Sequence, residues 1–356
     1  MGRSSCATPG RPSTLRLVSE NPVSTLRFDV TSGDWVAFSD LRAKRPHTFQ
    51  KRTPESLAPP HFEPNCPFCP GNEGQTPEAT DLELDPEQPS RWSVRVCANK
   101  YPVLDPTAST NRRLIGPLFR EMDGHGRHEL LVESPDHGCS LANQPLAQVE
   151  RVIRVLHRRA LALSSDASLE VVQIFKNQGS VAGSSMPHPH FQIISTPVVP
   201  RQVRIKYQMA AEYYNTTGTS VYSELCRAEL EAGVRVVSAN DEFVAFAPFA
   251  SRTPYETWIV PRRASSTFEN AAPETLAALP ATLSDVLKRI SRTLDDPPYN
   301  LVIHSAPRRH ADEPDFVWHI EILPRLATAA GFELATGMAI NTVLPELAAE
   351  ALRAHG

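Results

Sequence analysis

Hydrophobic and polar positions along this 356-residue chain alternate between two periods, and each change of period marks an element. An apolar residue at every second position fits a half-buried strand, and one at every third or fourth fits an amphipathic helix. Residues 33–40 read as a strand leaving a turn. Strands follow near 93–98 and 128–133. Over 144–163, Leu146, Val149, Val152, Ile153, Leu156, Leu161 and Leu163 recur at helical spacing. Strands at 169–176 and 190–195 close the first half. The order then repeats: strands at 233–238, 242–248 and 255–260, a helix at 272–294, strands at 299–304 and 316–323, and a closing helix at 344–354.

The repeat reaches individual residues. Val-Glu-Ser-Pro-Asp-His137 precedes His190-Phe-Gln-Ile-Ile by 53 residues, and Ile-Val-Pro-Arg-Arg-Ala264 precedes His319-Ile-Glu-Ile-Leu by 55. A strand, a helix and a strand fill each gap. This predicts an internal duplication in which one copy carries the chemistry. The expected fold is α+β, with antiparallel sheets and packed helices. The N-terminal unit spans 23–200 and the C-terminal unit, a degenerate copy, 201–356. Residues 1–22 are polar and read as loosely attached. Residues 43–90 are rich in proline and polar groups, and order there needs something to pin the segment.

Composition narrows the function. With 41% hydrophobic and 21% charged residues the chain is that of an ordinary globular protein. A formal net charge of −4 leaves no basic footprint for nucleic acid or an anionic membrane. No apolar run approaches the ~20 residues of a spanning helix. The first 20 residues hold no apolar leader core. A cytoplasmic protein is expected. Of six cysteines only Cys66 and Cys69 form a C-x-x-C. Without secretory features that spacing suggests metal or redox chemistry in place of a disulfide framework.

Residues 184–192, Ser-Ser-Met-Pro-His-Pro-His-Phe-Gln, carry the strongest chemical signal. His188 and His190 stand two apart, and in a strand such positions share a face. Ser184, Ser185 and Gln192 flank them with neutral groups suited to phosphate oxygens. A histidine that attacks phosphorus needs this setting: one ring reacts, its neighbour orients, and donors hold the phosphates. Two surface histidines beside a proline turn would look the same on this segment alone. The preceding loop, residues 176–185, places Asn177, Gly179 and Gly183 beside the serines, and glycine allows close backbone approach. It is neither a Walker-type phosphate loop nor a dinucleotide fingerprint. Arg42, Arg45 and Asn99 are further anion or ribose candidates, although each taken singly reads as a surface residue.

Cys66-Pro-Phe-Cys69 places two thiolates on a tight knuckle, half of a tetrahedral zinc site. His137 and His188 are the plausible second half. That set would tie the proline-rich loop to the histidine strand and leave His190 free. A redox pair or two buried thiols are the other readings of the cysteines. A closed four-ligand shell would be structural, and no H-E-x-x-H points to a zinc hydrolase.

Together these motifs resemble the galactose-1-phosphate uridylyltransferase family of the histidine-triad superfamily. The resemblance rests on Gly-Asp-Trp-Val (33–36), Arg-Ala-Lys-Arg-Pro (42–46), Cys-Pro-Phe-Cys-Pro-Gly-Asn-Glu (66–73) and Asn-Lys-Tyr-Pro (99–102). It continues through Gly-Arg-His-Glu and Ser-Pro-Asp-His (126–137), Asn-Gln-Gly to His-Pro-His-Phe-Gln (177–192) and Trp-His-Ile-Glu-Ile-Leu-Pro-Arg (318–325). The resemblance implies duplicated histidine-triad-like units, usually in a homodimer. It makes His190 the nucleophile on the α-phosphorus of a nucleotide sugar, with Gln192 holding the phosphate of the covalent intermediate. Hydrolase branches carry a histidine in place of that glutamine.

Asn177, Gly183, Ser184 and Ser185 would line the phosphates, and Arg42, Arg45 and Asn99 would lie at the nucleotide. Cys66, Cys69, His137 and His188 would hold one structural zinc. The carbonyl of Asn177 or Gly183 would orient the second nitrogen of His190. Glu333 falls in the region that contacts the hexose, where small residues such as Ala329 and Ala330 replace a lysine of some relatives. A second metal, carried by many relatives, is not expected. Ser220, Ser223 and Ala264 stand at its positions, although His304, His319 and Glu321 remain. The leading activity is uridylyl transfer from UDP-glucose to galactose 1-phosphate by a ping-pong cycle. An ADP-glucose phosphorylase, a histidine-triad hydrolase and a non-enzymatic zinc protein are the alternatives.

Overall fold

The computed structural model describes residues 24–39 and 60–356. Ten antiparallel strands form one continuous sheet. The N-terminal half supplies β3 (Ala79–Leu84), β4 (Trp92–Ala98), β7 (Arg127–Val132), β8 (Val171–Gln178) and β9 (His190–Thr196). The C-terminal half supplies β10 (Val236–Ala239), β11 (Phe243–Phe246), β12 (Thr257–Pro261), β13 (Tyr299–His304) and β14 (His319–Pro324). From the outer edge inward the first half runs β3-β4-β7-β9-β8 and the second β10-β11-β12-β14-β13. The two orders are the same, and the halves join where β8 pairs with β13, Ile174 opposite Ile303. The internal repeat is therefore visible in the topology.

Each half places a long helix between its third and fourth strands: α1 (Leu146–Ser164) and α4 (Pro273–Leu294). Their apolar stripes, Val149, Val152, Ile153 and Leu156 on α1 and Leu279, Leu283, Val286 and Leu287 on α4, are buried on one face of the sheet. Phe191 and Ile193 of β9 point into this core and are 0% exposed. Full burial of each such side chain contributes about 1.5–3 kcal/mol. The alternation of β9 then sends His190 and Gln192 to the other face.

That other face is covered differently in the two halves. In the N-terminal half the Cys66–Cys69 knuckle packs Phe68 against Cys97, Leu130 and Val132. In the C-terminal half two helices, α2 (Arg201–Thr217) and α3 (Val221–Ala232), cover Val244, Phe246, Trp258 and Val260. These helices, β3 inside the proline-rich stretch, and a hairpin of β5 (Arg112–Ile115) and β6 (Phe119–Met122) extend the sequence expectation. β1 (Thr25–Phe28) and β2 (Trp35–Phe38) form a small sheet with β15 (Ile340–Asn341). Two short helices, α5 (Gly331–Thr336) and α6 (Pro345–Ala354), flank β15. No helix among the described residues is long and apolar enough to cross a membrane.

Candidate active site and metal cluster

Cys66, Cys69, His137 and His188 converge in the structure, all four buried and their ligand atoms within 4.8 Å of one another. Cys66 Sγ lies 3.6 Å from His188 Nδ1, and Cys69 Sγ lies 3.5 Å from His137 Nδ1 and 3.7 Å from His188 Nδ1. Bond lengths of about 2.3 Å to sulfur and about 2.0–2.1 Å to nitrogen put the donors of a tetrahedral zinc about 3.6 Å apart. The donor set and its spacing therefore fit zinc. His188 donates its remaining Nε2–H to the Ser134 carbonyl at 2.9 Å, which fixes the ring with Nδ1 toward the thiolates. Burial pushes the His188 imidazole down to about 4, so the ring is neutral and its Nδ1 lone pair is available.

His190 opens β9, 6% exposed, beside the Phe68 ring at 5.4 Å between centroids. Its Nδ1–H donates to the carbonyl of His188 at 2.8 Å. The orienting carbonyl is thus neither that of Asn177 nor that of Gly183. It comes from two residues back along the chain, in the bend that leads into β9. With Nδ1 occupied, Nε2 carries the free lone pair. Burial lowers the His190 imidazole to about 4.

On the same face Gln192 is held by a residue that the sequence reading did not single out. His128 Nε2 lies 2.9 Å from Gln192 Oε1. Asn99 Nδ2 lies 3.2 Å from His128 Nε2, and Asn99 Oδ1 accepts the Tyr101 N–H at 2.9 Å. Gly126 permits this approach of β7 to β9: its φ of +148° and the nearness of the Ser195 carbonyl leave no room for a Cβ.

The loop ahead of His188 is stitched to itself and to the C-terminal half. Gly183 N–H donates to the Ser180 carbonyl at 3.0 Å, and the Ser184 hydroxyl to the Met186 carbonyl at 2.7 Å. Both donors are therefore occupied within the loop, while Ser185 is exposed. Asn177 Oδ1 accepts from Asn300 Nδ2 at 2.7 Å, and the same Asn300 amide donates to the Ala182 carbonyl at 2.8 Å. Arg325 donates in turn to Asn300 Oδ1. Asn300 and Arg325 were also outside the sequence expectation. They reach the loop only because β13 pairs with β8. Glu333 accepts from Ala330 N–H at 3.1 Å and caps its own short helix. Arg42 and Arg45 lie outside the described residues.

The C-terminal half also gathers His304, His319 and Glu321 within metal-ligand distance. A cation already sits among them. Lys206 of α2 pairs with Glu321 and lies 3.5 Å from His319 Nε2, and Arg252 lies 3.4 Å from the other Glu321 oxygen. One carboxylate facing two cations does not suit a divalent ion, so these residues do not fit a second metal. The knuckle position is likewise spent, since the Ser220 hydroxyl donates to the Asp315 carbonyl at 2.8 Å while Val221, Tyr222, Phe316 and Val317 pack in an apolar cluster.

Comparison with known proteins matches both halves. The family model described as galactose-1-phosphate uridyl transferase, N-terminal domain, covers residues 15–200, and its C-terminal counterpart covers 206–354. An ADP-glucose phosphorylase of Arabidopsis thaliana is 33% identical over 94% of this chain and 93% of its own length. A galactose-1-phosphate uridylyltransferase of Thermotoga maritima is 30% identical over 92% of this chain and 97% of its own. Among solved structures, the Arabidopsis thaliana ADP-glucose phosphorylase with bound ADP-glucose superposes with a TM-score of 0.80 at 32% identity, covering 93% of this chain and 98% of that one. With both halves matched, this chain belongs to the galactose-1-phosphate uridylyltransferase family and is a nucleotidyltransferase.

Proposed function

We propose that this enzyme moves a nucleoside monophosphate from a nucleotide sugar to a phosphate acceptor by two displacements at His190. One observation carries the reading: Nδ1–H of His190 is bound to the His188 carbonyl at 2.8 Å, which leaves Nε2 as the nucleophile on the face shared with Gln192. In the first step the Nε2 lone pair attacks the α-phosphorus and an N–P bond forms. The bond from that phosphorus to the bridging oxygen breaks, and the sugar 1-phosphate leaves with the electron pair. The ring then bears positive charge, which the His188 carbonyl stabilises through the retained Nδ1–H. In the second step an acceptor phosphate oxygen attacks phosphorus, the N–P bond breaks and neutral imidazole is restored. No proton need be gained or lost by His190 across the cycle. Gln192 holds the transferred phosphate, and Asn177 and Ser185 line the site beside it. Cys66, Cys69, His137 and His188 would hold a zinc, which would supply a structural anchor for the His188 backbone.

ADP-glucose with inorganic phosphate as acceptor is the donor pair we favour. The supporting observations are the 33% identity and the TM-score of 0.80 to an ADP-glucose phosphorylase. Small residues at Ala329 and Ala330, where the family resemblance anticipates a hexose-contacting lysine, agree with an acceptor other than a sugar phosphate. The 30% identity to a uridylyltransferase supports the second reading, UDP-glucose with galactose 1-phosphate.

Mass spectrometry of the His190 peptide after brief incubation with each donor, without acceptor, tests both. An adenylyl mass supports the first reading and a uridylyl mass the second. No adduct from either donor, in folded protein with zinc bound, overturns the covalent mechanism.

A further inference from the structure

The amide of Gln192 can hold a phosphoryl group only if its NH2, not its oxygen, faces the phosphorus. An amide free to rotate presents either end. Nothing in the Gln192 side chain itself selects one.

His128 makes that selection. Backbone N–H of Val103 points at His128 Nδ1 at 3.4 Å, and the Asn99 NH2 lies between the two ring nitrogens, 3.4 Å from Nδ1 and 3.2 Å from Nε2; with two donors able to reach it, Nδ1 takes the acceptor role. The ring hydrogen then resides on Nε2, and Nε2 lies 2.9 Å from Gln192 Oε1. A ring N–H can meet the amide oxygen but not the amide NH2, so the hydrogen bond fixes the amide in one orientation. The Gln192 NH2 is left pointing away from His128, without a protein partner among the described residues. Because β9 alternates, that free donor shares a face with His190. The sheet holds His128 in place: it is opposite Ile194 in the β7–β9 ladder, while Leu130 is opposite Gln192. Its carbonyl also accepts the Asn99 N–H at 2.8 Å.

We propose that His128 is a positioning residue for nucleotidyl transfer: it does not touch the reacting atoms, but locks Gln192 as a hydrogen-bond donor to the phosphoryl oxygens. Without it the amide can turn its oxygen toward the anionic phosphate, converting an attraction into a repulsion. The inference rests on the double-displacement reading of His190.

The test is a double-mutant cycle on the zinc-loaded, full-length chain, with adduct formation at His190 as the first readout and steady-state rates as the second. Wild type, His128→Phe, His128→Gln, Gln192→Ala and the His128→Phe/Gln192→Ala double variant are compared with ADP-glucose and inorganic phosphate, and with UDP-glucose and galactose 1-phosphate. His128→Phe should lower kcat by about tenfold to a hundredfold, less than the roughly hundredfold to thousandfold of deleting a transition-state donor outright because the amide still visits the productive orientation, with KM for the donor changed less than threefold. His128→Gln keeps a donor facing Oε1 and should recover most of the rate. In the Gln192→Ala background, His128→Phe should cost nothing further, because residues acting through one group are not additive.

Additive losses in the double variant overturn the inference, as does a His128→Gln rate as low as that of His128→Phe. If His128→Phe does not melt like wild type, His128→Gln decides alone. A near-wild-type rate supports the lock, and a loss as deep as that of Gln192→Ala sinks it. A wild-type protein that acquires no nucleotidyl adduct overturns the double-displacement reading itself, a result distinct from additivity among active variants.

Discussion

His190 and His319 occupy the same place in the two halves of the sheet, and each donates Nδ1–H to the carbonyl two residues before it, His188 at 2.8 Å and Val317 at 2.9 Å. Both open the last strand of their half, next to the innermost one, both are followed at i+2 by a side chain able to bind charge, and both are buried. The difference lies in what faces the second nitrogen. His319 Nε2 looks at the Lys206 ammonium, itself paired with Glu321, whereas among the described residues no cation lies within hydrogen-bond distance of the His190 ring, and Lys176, paired with Glu133, acts on it only through space. The predicted consequence is that one histidine of the pair reacts. His190→Gly should lower transfer by at least about a thousandfold and abolish the covalent adduct, and added imidazole should restore part of the turnover. His319→Gln should leave the His190 adduct intact. A nucleotidyl mass on the His319 peptide would show that the second copy is chemically alive.

The Cys66–Cys69 knuckle and His190, the proposed nucleophile, are linked through one residue. His188 offers Nδ1 to the thiolates and its carbonyl to His190, so loss of a metal held there would loosen the group that sets the His190 tautomer. Cys69→Ser should therefore remove the bound metal, lower the melting temperature by several degrees and reduce kcat by about tenfold to a hundredfold. Elemental analysis of the purified wild type should return about one zinc per chain. A Cys69→Ser protein with full activity would separate the knuckle from the chemistry.

In the C-terminal half the helices α2 and α3 cover the face that the knuckle covers in the other, and Lys206 brings its ammonium where a metal would need to sit. Lys206 and Glu321 are 7% and 1% exposed as side chains, so removing the lysine leaves a buried carboxylate with one oxygen unpaired and only Arg252 and His304 beside the other. Lys206→Met should cost about 3–5 kcal/mol, whereas the double change Lys206→Met/Glu321→Leu should recover much of it. Urea unfolding at pH 7 measures both. A second equivalent of metal in the wild type would contradict this assignment.

How much of this was legible in the sequence depends on how local each feature is. His188 and His190 could be placed together because they stand two apart, although His188 lies in the bend before β9 and not in the strand the sequence suggested, and Cys66 with Cys69 announced a knuckle by spacing alone. His137 could be joined to them through its position at a predicted strand end. His128 could not, because it lies 64 residues before Gln192 and meets it only through the β7–β9 register. Asn300 and Arg325 arrive from the other half of the chain, across the β8–β13 junction. Helix α2 escaped notice because Val203, Ile205, Tyr207 and Met209 fall at every second position, a strand period inside a helix. Its most consequential residue, Lys206, sits between them, and no hydrophobic pattern marks a buried lysine.

The remaining prediction concerns how the chain's first described strand is held. Arg27 of β1 and Arg235, just before β10, converge on Glu346 of α6, at 3.0 Å and 2.9 Å, and tie the small β1–β2–β15 sheet to the C-terminal half. Burial acts to raise the Glu346 carboxyl, but hydrogen bonds from Arg27 and Arg235 outweigh it and hold the group below its ordinary 4.5. A carboxyl depressed in the folded state contributes stability that is present above its unfolded value and lost as the pH falls through the folded one. Glu346 should therefore support the fold fully at pH 7 and progressively less below about pH 4.5. Glu346→Gln keeps the shape and removes the charge, so it should cost about 1–3 kcal/mol at pH 7 and much less at pH 3. Urea unfolding of wild type and variant from pH 7 to pH 3 reads this directly. The two curves should converge toward acid, and curves that stay parallel would show that the Arg27–Glu346–Arg235 contact carries no charge-dependent stability.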